Sequence, residues 1–298
     1  MFKKALIIIG CLIGLGIVGA GVYAYYLYDS AKDAVNEMHE PLNVDKKPKP
    51  IVTGKDKKPI SILLMGVDER KNDRGRSDTM IVMTINPEKN SMMMFNIPRD
   101  TRTEIIGKGY EDKINHAYAF GGVQMAVDTV ENFIDVPIDY YFKVNMESFQ
   151  QIVDSVGGVT VNNPFSFEQS GMNFAEGQIN LNGKEALAYS RMRKQDTRGD
   201  LGRNDRQKQV ITSIINEGAK VSSITKFDNI LSILGDNVKT NMTFDEMKDI
   251  QKNYKGARKK VESFQVEGNG AKIDGIYYMI VPEEERQNIS TKVKEHLS

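Results

Sequence analysis

Five arginines, Arg191, Arg193, Arg198, Arg203 and Arg206, fall within sixteen residues of a 298-residue chain that carries no formal net charge. A planar guanidinium presents a fork of donors that meets two oxygens at once, so such a cluster is suited to phosphate. Spacing sorts the cluster further. Arg203, Arg206 and Gln207 stand at i, i+3 and i+4, which is one face of a helix. Arg191 and Arg193 are two apart and point the same way only on extended backbone. Asp200 near the helix start and Gly202 in its first turn would let free backbone N–H groups face an anion. The interleaved Asp196, Asp200 and Asp205 allow a second reading, a solvated helix pair laced by salt bridges.

Another set of residues needs a sheet to assemble it. Ile60–Val67 is almost wholly apolar and reads as a strand buried on both faces. Asp78–Asn86 and Asn90–Ile97 read as the next two strands, antiparallel because the tight turn Pro87-Glu88-Lys89-Asn90 joins them. With strands running up, down and up, one rim collects Asp68, Arg76-Ser77-Asp78 and Pro98-Arg99-Asp100. Two carboxylates there suit a hard cation such as Mg²⁺, which takes one or two carboxylates plus substrate phosphate oxygens. Asp68, Asp73 and Asp78 also fit plain loop and turn roles. His116, preceded by Lys113 and Asn115, reads as a structural hydrogen-bonding residue.

The elements that position these groups follow from periodicity. Ile114–Phe120 and Val123–Ile134 carry helical spacing on either side of a break at Gly121-Gly122. Tyr140–Val144 reads as a strand, Met146–Val156 as a helix, Val159–Ile179 as short strands or a hairpin arm, and Gly183–Ser190 as a helix delivering the arginines. Gln207–Lys220, Ile224–Asn237 and Phe244–Tyr254 read as helices, Val261–Val266 and Ile276–Val281 as strands, and Glu283–Leu297 as a closing helix. Interleaved strands and helices make this an α/β layered domain with a core of its own from Ile60 to Ser298.

Ahead of that domain, Ala5–Tyr28 is uncharged throughout, long enough as a helix to cross about 30 Å of hydrocarbon. Lys3 and Lys4 keep its start cytoplasmic and tyrosines 23, 25, 26 and 28 fit the outer interface, so residues 1–28 read as a single-pass anchor in the cell membrane. Residues 29–59 read as an extracytoplasmic stalk and a Lys/Pro-rich linker. Beyond Tyr28 the chain has 38 basic against 40 acidic residues, which argues against nucleic acid as partner. The single cysteine, Cys11, lies in the anchor, so the outer domain holds no disulfide.

Six ordered segments together resemble the LytR-CpsA-Psr family. They are Leu64-Met65-Gly66-Val67-Asp68-Glu69-Arg70, Gly75-Arg76-Ser77-Asp78-Thr79, Ile97-Pro98-Arg99-Asp100-Thr101, the run from Asp112 to Gly122, Leu181 to Leu187, and Arg191-x-Arg193 with Gly202-Arg203-x-x-Arg206-Gln207. The resemblance implies an α/β/α sandwich whose mixed central sheet encloses an apolar lipid pocket, on the outer face of the cytoplasmic membrane. It also implies an activity: transfer of an anionic glycopolymer, wall teichoic acid, from an undecaprenyl pyrophosphate carrier to the C6 hydroxyl of peptidoglycan N-acetylmuramic acid. Carried onto this chain, Asp68 and Asp78 would hold Mg²⁺ or Mn²⁺. The catalytic set would be Asp68, Asp78, Arg99 and Asp100, with the base left open among the three aspartates. Arg76, Arg99, Lys113, Arg191, Arg193, Arg198, Arg203, Arg206 and Gln207 would grip the pyrophosphate. A protein that binds or hydrolyses the lipid pyrophosphate without transferring polymer is the alternative.

Overall fold

The computed structural model describes residues 25–43, 57–69, 75–218 and 238–298. The expected anchor up to residue 24, most of the linker, Arg70, Asp73 and the expected helix over Ile224–Asn237 lie outside the described residues, Asn237 included. Among the described residues no helix is long and apolar enough to cross a membrane.

A six-stranded mixed sheet organises the domain, in the order β11-β6-β1-β2-β3-β12, with β11 the short edge strand Val238–Thr240. Strands β1 (Ile60–Val67), β2 (Ser77–Asn86) and β3 (Ser91–Asn96) run antiparallel, the last two joined by a turn in which Asn90 takes the left-handed conformation at φ 48°. β6 (Tyr140–Asn145) lies parallel to β1, and β12 (Val261–Gln265) parallel to β3. Strand alternation sends Leu63, Met65, Val67, Met80 and Val82 into one apolar layer and Ile60, Ile62, Ile81, Met83 and Ile85 into the other. Burial on both faces is why these runs are nearly free of polar residues.

Helices α2 (His116–Ile134) and α7 (Glu283–Leu297) cover the first face. The two expected helical runs form one element, broken where Gly122 takes φ 68° and ψ −153°. Helices α5 (Asp200–Gly218) and α6 (Phe244–Asn253) supply Ile211, Ile215, Met247 and Ile250 to the second face. A third core joins α3 (Met146–Ser155), α4 (Gly183–Arg191) and an arm of short strands that includes β7 (Val159–Asn163) and β10 (Gly177–Leu181). Helix α5 begins at Asp200, seven residues earlier than its apolar spacing indicates, because the arginine stretch itself is helical from there.

Two features depart from the sequence reading. Residues 25–38 form a helix, α1, that packs on the domain and does not stand off from it: Ala31, Ala34, Val35 and Met38 are buried, and the Glu40 amide donates to Thr240 O at 2.8 Å. A hairpin of β4 (Arg102–Ile105) and β5 (Tyr110–Lys113) sits between the rim and α2, where polar residues gave no strand pattern.

Candidate active site

The rim forms where β1 and β2 fall out of step. Gly66 pairs with Thr79 and Val67 with Ser77, so Asp78 is the extra residue of a β-bulge. A bulge re-aims its side chain out of the regular pleat. The amides of Asp68 and Asp78 both donate to Arg76 O, at 3.2 and 3.1 Å, so the two aspartates flank one carbonyl. Gly75 makes that closure possible. Its φ is 68°, and a Cβ there would stand 2.1 Å from Asp68 O. Arg76 itself is exposed at the tip.

From Asp78 the contacts run outward through charge. Arg99 Nη1 lies 3.2 Å from Asp78 Oδ1 and Arg99 Nε 3.7 Å from Asp100 Oδ2, while Lys113 Nζ donates to Asp100 Oδ1 at 2.7 Å. Asn115 Nδ2 also donates to Asp78 Oδ1, at 3.4 Å. Its Oδ1 is buried with no hydrogen-bond partner among the described residues. Two carboxylates and an unpartnered amide oxygen make a hard donor set. No group of three or more His, Cys, Asp or Glu residues with metal-ligand geometry exists among the described residues. The set therefore fits a cation that completes its shell with water and phosphate oxygens, as Mg²⁺ does.

Helix α5 brings the second half of the site over the sheet. Gln207 Nε2 donates to Thr79 Oγ1 at 3.3 Å and its Oε1 accepts from Asn96 Nδ2 at 3.0 Å, which pins the helix across β2 and β3. One turn earlier Arg203 Nη2 lies 2.9 Å from Asp200 Oδ1, and Arg193 Nε lies 3.4 Å from the other oxygen of that carboxylate. Burial lowers the pKa of Arg203; Asp200 opposes this, the cations Arg99 and Arg193 add to it, and Asp78 opposes it again. These charges thus share one cleft, lined by Asp78, Asn96, Arg99, Asp200, Arg203 and Gln207 among others.

Not every arginine of the stretch joins it. Arg206 is 1% exposed and points away: Nη1 donates to Asp196 Oδ2 at 2.8 Å and Nη2 to Met192 O at 2.7 Å, with Phe167 beneath at 5.6 Å. Burial works against the Asp196 charge, but the hydrogen bonds and charges of Arg206 and Arg198 hold its carboxyl below the usual range. Gly202 belongs to this pair and offers no anion site, since a Cβ on it would stand 1.7 Å from Asp196 Oδ2. Arg206 is therefore a structural pin between α5 and the arm, not a phosphate ligand. Positions 206 and 207 lie about 100° apart around a helix, and α5 is packed on both sides. Arg198 pairs with Asp205 at 2.7 Å, on another flank of α5, and Arg191 is exposed at the end of α4. His116 Nδ1 meets Asp112 Oδ2 at 2.7 Å, a local i,i+4 contact.

A mixed sheet clothed by helices, with aspartates at a bulge and arginines over it, defines a family that direct comparison identifies. The LytR_cpsA_psr family model matches residues 25–295, and the chain belongs to that family. A similar protein is the polyisoprenyl-teichoic acid–peptidoglycan teichoic acid transferase TagU of Bacillus subtilis (strain 168), 56% identical over 295 residues, 99% of this chain and 96% of that one. The crystal structure of B. subtilis TagU aligns with a TM-score of 0.67 at 55% identity, over 81% of this chain and 98% of that chain. A structure of TagT bound to LI-WTA aligns at 0.73 and 30% identity, over 87% and 99%.

Proposed function

We propose that this chain transfers wall teichoic acid from an undecaprenyl pyrophosphate carrier to the C6 hydroxyl of peptidoglycan N-acetylmuramic acid. Transfer of teichoic acid to peptidoglycan is the activity named for relatives at 56% and 55% identity over almost the whole chain. One observation carries the lipid part. Helix α5 leads from Arg203 and Gln207 at the rim to Ile211 and Ile215 against the apolar second face of the sheet. A ligand with a diphosphate head and a hydrocarbon tail matches that sequence of surfaces, head among the cations and tail along the isoleucines.

Phosphoryl transfer asks the protein mainly for positioning and for neutralising charge. The acceptor hydroxyl forms a bond to the polymer-bearing phosphorus, the bridging P–O bond breaks, and the carrier leaves as lipid phosphate. Arg193 and Arg203 face the leaving phosphate and Arg99 the phosphorus that is transferred. Asp68 and Asp78, with Asn115 Oδ1 close by, would hold Mg²⁺ or Mn²⁺, which when bound supplies further charge neutralisation. Asp100 is engaged by Lys113 and Arg99 and fixes the guanidinium of Arg99 against Asp78. The acceptor proton goes to a rim carboxylate.

The same reading places Ala5–Tyr28 across the cytoplasmic membrane and the domain outside it, next to the carrier lipid. Its support is the uncharged run behind Lys3 and Lys4. The test is transfer of labelled teichoic acid from a lipid pyrophosphate donor to peptidoglycan. Covalent label on the wall, with release of lipid monophosphate, is expected. Release of lipid phosphate with free polymer as the only product would replace transfer by hydrolysis.

A further inference from the structure

Outside the cleft, a groove of ≈ 1050 Å³ runs along the opposite flank of α5. One wall is the helix, from Asp205 to Glu217; the other combines the arm (β7 and β10) with the edge strand β12, and Met94 lies on the floor. The twelve residue steps from Asp205 to Glu217 give it a length of roughly 18 Å. Its walls carry amides and hydroxyls: Asn162, Gln178, Gln209, Thr212 and Asn216 among them. Among the described residues β12 is the edge strand of the sheet, and its Val261 and Ser263 line the groove.

The groove reaches the cleft at one end. Gln265, the last residue of β12, donates to Asp205 Oδ1 at 3.0 Å. Its partner across the parallel ladder is Asn96, which donates to Gln207 inside the cleft. Adjacent strands lie about 5 Å apart, so groove and cleft are separated by little more than the first two turns of α5.

Charge decides what fits. Arg198 and Lys208 line the groove but both pair with Asp205, at 2.7 and 3.1 Å. Arg258 is exposed on the groove and has no ion-pair or hydrogen-bond partner among the described residues. A phosphodiester polymer, with a charge in every repeat, needs a row of free cations. The exposed Arg258, with Glu217 at the end of the helix wall and amides and hydroxyls between, instead suits a chain of N-acetylated hexosamines bearing an occasional carboxylate.

We propose that this groove is the acceptor subsite, holding the wall glycan so that its hydroxyl enters the cleft past Gln265. The assignment rests on the transfer reading above. Two variants test it, Arg258→Ala and Ser263→Trp, the latter placing an indole over the groove from an exposed position on β12. Transfer is measured with the acceptor varied at saturating donor, then the reverse. The expected result is an acceptor KM raised about tenfold or more, with kcat and donor KM unchanged. In parallel, a peptide-free wall glycan tetrasaccharide and a glycerol phosphate oligomer are each titrated into the wild-type protein and both variants by calorimetry. Tetrasaccharide binding that weakens in the variants supports the subsite even if wild-type protein transfers nothing, an outcome that removes only the transfer reading. Unchanged acceptor KM and unchanged tetrasaccharide binding in both variants overturn the proposal. So does a raised donor KM together with groove-dependent binding of the glycerol phosphate oligomer, which would make the groove a donor-polymer site.

Discussion

Asp68 and Asp78 hang from one carbonyl, their backbone N–H groups both donating to Arg76 O at 3.2 and 3.1 Å. Ten residues separate them in sequence, and the bulge at Gly66/Val67 brings them to one rim. Both side chains are partly exposed, so truncation removes oxygen ligands and opens no core cavity. Asp68→Ala and Asp78→Ala are each expected to lower transfer by at least about 100-fold, with thermal unfolding little changed. The divalent-cation dependence of the residual rate should flatten. A variant that keeps the wild-type rate and dependence shows that its carboxylate holds no cation.

The arginines of α5 separate into two kinds, and one experiment reads both. Arg203→Lys keeps charge but loses the fork, so binding or turnover of the lipid pyrophosphate should weaken by roughly 10- to 100-fold. Its unfolding temperature should stay close to wild type. Arg206→Met leaves the buried Asp196 with only the more distant Arg198, its Nε 3.7 Å away, as counter-charge, a change that costs about 3 kcal/mol and lowers Tm by about 10 °C. Adding Asp196→Asn should recover part of that loss. Equal thermal stability of Arg206→Met and wild type would mean that the buried pair is no pin.

The pH dependence of stability should come partly from the C-terminal helix. His296 is 6% exposed, with Nδ1 2.7 Å from Thr84 Oγ1 and Nε2 2.8 Å from Ser91 Oγ. Burial lowers its pKa from 6.5; Lys89 adds to that, Glu262 opposes it and Lys260 adds again. The unfolded chain therefore takes up this proton first as pH falls, and the stability tied to neutral His296 is complete above 6.5 and declines below it. Wild-type Tm should drop from about pH 7.5 to about pH 5.5, and His296→Gln should show a shallower slope over that window. Parallel slopes would place the titration elsewhere.

Much of the rim was legible because its strands are buried on both faces. Ile60–Val67 and the turn at Pro87–Asn90 specify the up-down-up order, and that order brings Asp68, Asp78 and Arg99 to one end of the sheet, where the bulge then sets the two aspartates side by side. The hairpin of β4 and β5 was not legible. Tyr110-Glu111-Asp112-Lys113 has no buried face, and its pairing with Arg102–Ile105 is set by the loop between them. Arg206 was misread for a different reason. Helical spacing reports which residues share a face, not which neighbour that face meets, and α5 has the sheet on one side and the arm on the other. The clue was Gly202 one turn before Arg206: a glycine inside a helix marks a close approach as readily as an anion site. Outside the site, α1 was assigned to a stalk because its small buried face (Ala31, Ala34, Val35, Met38) is short beside its charged remainder.

Asp200 gives the arginine pair an electrical balance of its own. Its carboxylate lies between Arg193 and Arg203, and the free space in the cleft is ≈ 30 Å³, about the room of one water molecule. A diphosphate bound there, as proposed, would displace the aspartate from the two guanidinium groups as it comes in. Binding at this position is then an ion exchange, in which one tethered negative charge is traded for several mobile ones. A singly charged anion gains little from such an exchange, because it replaces a partner of equal charge that is already held in place by the chain. On the proposed reading, selectivity for a multiply charged head group over chloride or bicarbonate would arise from a residue that repels it.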